Sequence, residues 1–149
     1  FRSLWCLGAQ RKGMVIIMNS KILMIMSNLE DLRFLKPATE AEVAAAEKEL
    51  GVTFAEDYRE YVLKYGVISA RGIELTGVTT AKRLDVVSVT KAEREMANIP
   101  ENMYVIENVA IDGIIVLQNT AGEVFSTAPH EPLKRICSSL SEYVERANF

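Results

Sequence analysis

Cysteine and histidine are nearly missing from this sequence: Cys6 and Cys137 stand close to its two ends, and His130 is its only histidine. Two cysteines so far apart exclude a disulfide-framed scaffold. They suit a reducing compartment, and a cytoplasmic location is expected. One histidine excludes the common zinc and serine-hydrolase constellations. No G-x-x-x-x-G-K-S/T or G-x-G-x-x-G phosphate loop occurs, and no C-x-x-C, H-E-x-x-H or G-x-S-x-G. No metal or cofactor is therefore expected. Long hydrophobic runs are also lacking. In Met14–Met26, ten of thirteen residues are apolar, too few to cross a bilayer, which takes about 20. No A-x-A-like cleavage site follows, so a secretory signal is not expected.

What is present fits one ordinary domain. The 149 residues are 49% apolar, which excludes disorder and lets a chain of this size bury roughly 70% of its unfolded surface. Charge divides the chain unevenly. Residues 1–25 carry Arg2, Arg11, Lys12 and Lys21 and no acid, which leaves −7 on residues 26–149 out of a total of −3. The expected organisation is an extra N-terminal segment, 1–25, followed by a single domain, 26–149. The segment reads as an added strand, a helix extension or translated upstream sequence, and a chain without it is expected to unfold cooperatively. An acidic body repels nucleic-acid phosphates and anionic membranes and favours basic protein partners. The same acidity also serves simply to keep a domain dispersed.

Helical signals come first. A helix is expected around Asn28–Leu35. Thr39 and Glu42 have capping-box spacing, Val43, Ala46 and Leu50 share one face, and Gly51 supplies a left-handed stop. A second helix begins near Ala55 with Glu56 and Asp57 in its first turn. It carries Tyr58, Tyr61, Val62 and Tyr65 at i, i+3, i+4 and i+7, and it ends at Gly66. Beyond it, residues 73–76, 84–90, 104–108, 114–118 and 123–126 are rich in branched side chains and predict strands. A short helix capped by Thr90 spans 91–98. Asp112-Gly113 and Asn119–Gly122 are turn signals, and Ser139 with Glu142 opens a terminal helix. The pattern predicts an α+β domain with N-terminal helices, a central, mainly antiparallel sheet and a C-terminal helix.

Candidate chemistry rests on carboxylates. Glu107, Asp112 and Glu123 fall on neighbouring strands or turns, but nothing in the spacing fixes the separation that paired catalytic acids require. No catalytic residue is assigned. The tyrosine stripe reads as core with hydroxyls at its edge. His130, between Pro129 and Glu131, reads as a loop residue.

The segments Glu47-Lys48-Glu49-Leu50-Gly51, Phe54-Ala55-Glu56-Asp57-Tyr58 and Lys64-Tyr65-Gly66 together resemble the SUKH superfamily, the Smi/Knr-type group. Ala55 stands where that family usually has proline. Ile73–Gly77, Tyr104–Glu107, Asp112-Gly113, Gly122–Phe125 and Ser138–Tyr143 are similar to bacterial members, so the likeness covers about residues 27–147. The resemblance implies binding rather than catalysis. Bacterial members are mostly cytoplasmic immunity proteins that neutralise polymorphic toxins, often nucleases. Fungal relatives act as interaction hubs in cell-wall regulation, which makes a scaffold or regulatory module the alternative. On the immunity reading, a basic cognate toxin meets exposed acids, with Glu56, Asp57, Glu60, Glu107, Asp112 and Glu123 as the candidate contacts.

Overall fold

The computed structural model describes residues 20–148. Ser20 caps the first helix among the described residues, α1 (Lys21–Ser27), its hydroxyl accepting from the Leu23 amide at 3.4 Å. Ile22, Leu23 and Met26 lie on its buried face. Strand β1 (Arg33–Phe34), helices α2 (Glu40–Leu50) and α3 (Glu56–Tyr65), and strands β2 (Ile68–Ala70) and β3 (Ile73–Glu74) follow. Then come α4 (Val86–Ala97), β4 (Met103–Asn108), β5 (Ile115–Asn119), β6 (Val124–Thr127), β7 (Lys134–Cys137) and α5 (Leu140–Asn148). Strands β1-β2-β3 form one antiparallel sheet and β4-β5-β6-β7 another. The Thr76 amide, donating to the Ile106 carbonyl at 2.8 Å, ties the two together. The expected α+β class is the observed one.

Local chemistry accounts for the helices that the sequence announces. In α2 the capping box is complete: the Glu42 amide donates to Thr39 Oγ1 at 3.1 Å, and the Thr39 amide donates to the Glu42 carboxylate at 2.9 Å. Gly51 closes the helix at φ 68°, a conformation that costs glycine little. Helix α3 has no side-chain cap. Instead the Ala55 amide donates to the Tyr104 hydroxyl at 2.8 Å. Proline, the family's usual residue there, has no N–H to donate.

Tyr58 and Tyr61 of α3 anchor the helix to β2 and to Thr76, just beyond β3, through their hydroxyls. The fully buried Tyr61 hydroxyl donates to the Thr76 carbonyl at 2.7 Å and accepts from the Ile68 amide at 3.0 Å. Tyr58 meets Thr76 Oγ1 at 3.0 Å. Tyr61→Phe leaves a buried carbonyl and a buried amide without that partner. Urea unfolding is expected to record a loss of about 2 kcal/mol or more, each stranded group costing roughly 1–3 kcal/mol. Tyr58→Phe is expected to cost less, because Thr76 Oγ1 keeps its own bond to the Val105 carbonyl.

Several expectations are corrected. Residues 84–90 are not a strand: α4 begins at Val86, with Asp85 capping Ser88 through its amide at 3.3 Å and its hydroxyl at 3.2 Å. Val86 and Thr90, one turn apart, are both buried, and Thr90 Oγ1 accepts from the Val105 amide at 3.0 Å. Packing on β4 thus overrides the branched residues' strand preference. Thr90 sits within the helix rather than capping one. The helix expected at 28–35 lies earlier, at Lys21–Ser27, while Leu35 is exposed. The boundary drawn at residue 26 does not hold either, since Ile22 and Leu23 belong to the same core cluster as Tyr61 and Val144. The rest of that segment, residues 1–19 with Cys6, lies outside the described residues. At α5, Ser139 Oγ accepts from the Glu142 amide at 3.1 Å, but the Glu142 carboxylate turns to the Ser138 amide at 2.7 Å. The three strands expected at 104–108, 114–118 and 123–126 appear within about a residue of those bounds. Asp112 and Gly113, at φ 54° and 71°, form the β4–β5 turn, closed by the Ile114 amide on the Ile111 carbonyl at 3.0 Å.

Candidate functional site

Helices α1, α3 and α5 bring their N-terminal ends, together with the turn at 120–122, around an open cleft of about 630 Å³. Glu56, Asp57 and Glu60 line it, with Ser20, Thr120, Ser139 and Ser141 among the surrounding hydroxyls. The three acids occupy the first turn and a half of α3, so i, i+1 and i+4 spacing points them toward one side.

Asp57 is the structural hinge of the cleft. One carboxylate oxygen accepts from Gln118 Nε2 at 3.1 Å, and the other accepts from the amide of Leu140, the first residue of α5, at 2.9 Å. Burial pushes its carboxyl above the usual range, against the opposing pull of the Leu140 and Gln118 bonds. Gln118 also donates to the Gly122 carbonyl at 3.1 Å and accepts from the Tyr104 hydroxyl at 2.8 Å. A continuous chain therefore runs from Ala55 through Tyr104, Gln118 and Asp57 to the start of α5, fixing α3, the β5–β6 turn and α5 relative to one another. Glu60 accepts from the Ser20 hydroxyl at 3.1 Å. Its carboxyl is also raised, first by burial, with the charges of Glu56 and Asp57 adding to the effect and the Ser20 bond opposing it. None of the three acids takes part in an ion pair among the described residues.

The other three candidate contacts lie elsewhere. Glu107 is only 7% exposed. It accepts from the Glu74 amide at 2.8 Å and from the Tyr143 hydroxyl, and burial raises its carboxyl against those bonds. It joins β3, β4 and α5 and is not a surface contact. Glu123 is partly exposed but already neutralised: it pairs with Arg135 at 2.9 Å and accepts from Asn119 Nδ2 at 3.1 Å. Those bonds, Asn119's first, hold its carboxyl low. Asp112 is exposed at the hairpin tip. Glu107, Asp112 and Glu123 thus occupy separate surroundings and do not pair. Gln118 and the hydroxyls of the cleft were not anticipated. A glutamine closing the apolar run Ile114–Leu117 was the available signal, because a buried amide needs partners.

Among the described residues, no group of histidine, cysteine and acidic side chains is arranged to hold a metal ion. No described helix is long and apolar enough to cross a membrane. The cleft offers carboxylate and hydroxyl oxygens, acceptors for an ammonium or guanidinium group, and Lys21 of this chain also lines it.

Among curated proteins, no match to the chain is found. The family model SUKH_5, described as SMI1-KNR4 cell-wall, matches residues 18–147. That match begins before Ser20 and so takes in α1, the helix whose apolar face the core requires. With nearly the whole chain covered, this protein belongs to the SMI1-KNR4 family of the SUKH superfamily.

Proposed function

We propose that the chain is a non-enzymatic binding domain that acts as an immunity protein, covering a basic surface of a cognate toxin with its acidic cleft. The observation that carries this reading is the meeting of Glu56, Asp57 and Glu60 in one open cleft, where Lys21 is the one lining cation and, among the described residues, neither it nor any other cation is ion-paired to them. Two of these carboxyls are raised, chiefly by burial. A partner's lysine or arginine relieves that unfavourable charge on docking, and the excess of acid on residues 26–149 steers its approach. Nucleic acid and anionic membranes are disfavoured by the same field. The toxin is met in the cytoplasm. The cell-wall wording of the family description favours the second reading, a scaffold or regulatory module with several partners.

Co-expression with the product of an adjacent toxin-like reading frame tests the proposal. Growth is expected to be rescued, and failure with both proteins soluble counts against it. Glu56→Lys combined with Glu60→Lys spares Asp57, which holds α5, and is expected to weaken binding at least tenfold, about 1.4 kcal/mol. Raising ionic strength is expected to weaken the wild-type complex. Acidification acts in the same direction. Protonating Asp57 and Glu60 removes the charge that the cation needs, and because both carboxyls are raised, the loss begins above the ordinary carboxylate range. An affinity indifferent to salt, pH and charge reversal removes the cleft from the interface. Capture of many unrelated partners, without protection, supports the scaffold reading.

A further inference from the structure

A second recess, of about 500 Å³, lies between the end of α4, the start of β5 and the loop at 127–131, and it shares no lining residue with the acidic cleft. Met96, Ala97, Ile115, Ala128 and Pro129 give it an apolar floor, and Asn108, Thr127 and His130 line it as well. Met96 is 80% exposed, and Ile111 on the neighbouring hairpin is 61% exposed. Glu93 and Glu131 stand among the lining residues and take part in no ion pair among the described residues. An apolar floor beside two unpaired carboxylates fits a segment with apolar side chains flanked by cations.

The chain itself displays such a segment. Phe34 and Leu35 are 58% and 45% exposed, flanked by Arg33 and Lys36, both exposed and in no ion pair among the described residues. The backbone holds it firmly. Strand β1 is an edge strand paired to β2, and the Leu35 amide donates to the Val67 carbonyl at 3.1 Å. The Phe34 ring rests against Tyr65, centroids 5.1 Å apart, with its remaining surface open. Little ordering is needed for this element to dock.

We propose that the recess receives residues 33–36 of a second copy of this chain. Phe34 and Leu35 fill the apolar floor by Met96 and Pro129, while Arg33 and Lys36 face Glu93 and Glu131. The two surfaces differ, so the contact is heterologous, and each copy can donate to one neighbour and accept from another. An anchor of two apolar side chains makes a small, transient interface. Association is therefore concentration-dependent, and salt weakens it.

Sedimentation velocity of the full chain, over a rising concentration series at low and high salt, tests the proposal. The wild type is expected to associate progressively. Phe34→Glu and Met96→Glu are each expected to remain monomeric. Mixed in equal amounts, the two variants are expected to form dimers and stop there, because one keeps the recess and the other keeps the docking segment. Should either variant fail to fold by circular dichroism, Arg33→Glu and Glu131→Arg replace them: each alone weakens association, and both within one chain restore it. A wild type that stays monomeric up to about 1 mM overturns the proposal. Variants that associate like the wild type, or a folded mixture that remains monomeric, overturn it as well. So does a recess that a different protein fills while this chain shows no self-association.

Discussion

A chain shortened to begin at Met26 is expected to lose its cooperative unfolding transition. Helix α1 packs against α3 and α5, and its Ile22, Leu23 and Met26 side chains are buried in the main core. Removing Ile22 and Leu23 forfeits about 2–3 kcal/mol of burial each, and the emptied site adds a cavity cost. Ser20 goes as well, taking the helix cap and the bond to Glu60. Met26 and Ser27 alone are too few residues to hold a helical turn, so the burial of Met26 fails with the rest. The sum, about 5 kcal/mol, matches the whole stability of many domains, which lies at roughly 5–15 kcal/mol. Urea unfolding followed by circular dichroism, with dye binding to detect exposed apolar surface, measures the outcome. Ile22→Ala in the full chain is expected to keep a cooperative transition and lose about 2–4 kcal/mol. An unchanged midpoint in the shortened chain would make α1 an appendage rather than part of the core.

The same helix shows what was readable in advance. Ser20 as cap and Ile22, Leu23 and Met26 on one helical face are local signals, present in the sequence. The basic charge of residues 1–25 points the other way, setting that stretch apart from an acidic body, but it carries no information about packing. Helix α2 posed no such conflict: capping box, alanines and Gly51 agree, and the structure realises all of them. Helix α4 is the opposite case, because its first turn is Val86-Val87-Ser88-Val89, and the Asp85 cap together with packing on β4 and α2 has to outweigh that strand preference. Strands β1 and β2, two or three residues long, are too short to carry a period, whereas β3 lies within the strand expected at 73–76.

The site was legible to the extent that it is local. Glu56, Asp57 and Glu60 sit on one helix, and helical spacing alone gathers them. Glu107 defeats simple alternation: the register of β4 against β5 shifts between Val105 and Glu107, and five consecutive β4 residues are buried. A bulge re-aims side chains in this way, and it carries Glu107 toward Tyr143. Glu123 is neutralised by Arg135, a pairing across β6 and β7 that depends on a strand which the sequence pattern does not announce.

Gly77→Ala is expected to be the most damaging single substitution considered, costing more than about 3 kcal/mol. A methyl group at Gly77 would lie 1.7 Å from the Gly66 carbonyl oxygen and 2.8 Å from its carbon. Backbone meets backbone there, so no side chain can swing aside. Neither partner is free to retreat. The Gly77 amide donates to the Leu84 carbonyl at 2.9 Å, and its carbonyl accepts from the Val86 amide at 2.8 Å, at the start of α4. Gly66 in turn accepts from the Val78 amide at 3.2 Å and lies against the Lys36 carbonyl on its other side. Any shift passes to Thr76, the residue on which Tyr58 and Tyr61 are anchored. Gly51→Ala provides the comparison. A methyl group there meets nothing within 4 Å, and only φ 68° opposes it, a penalty of about 1 kcal/mol. Urea unfolding of both variants separates the two effects. Equal losses would mean that the backbone around Gly66 and Gly77 yields, whereas a Gly77→Ala loss several times larger identifies their close approach as the steric constraint that sets the end of α3 against the segment leading into α4.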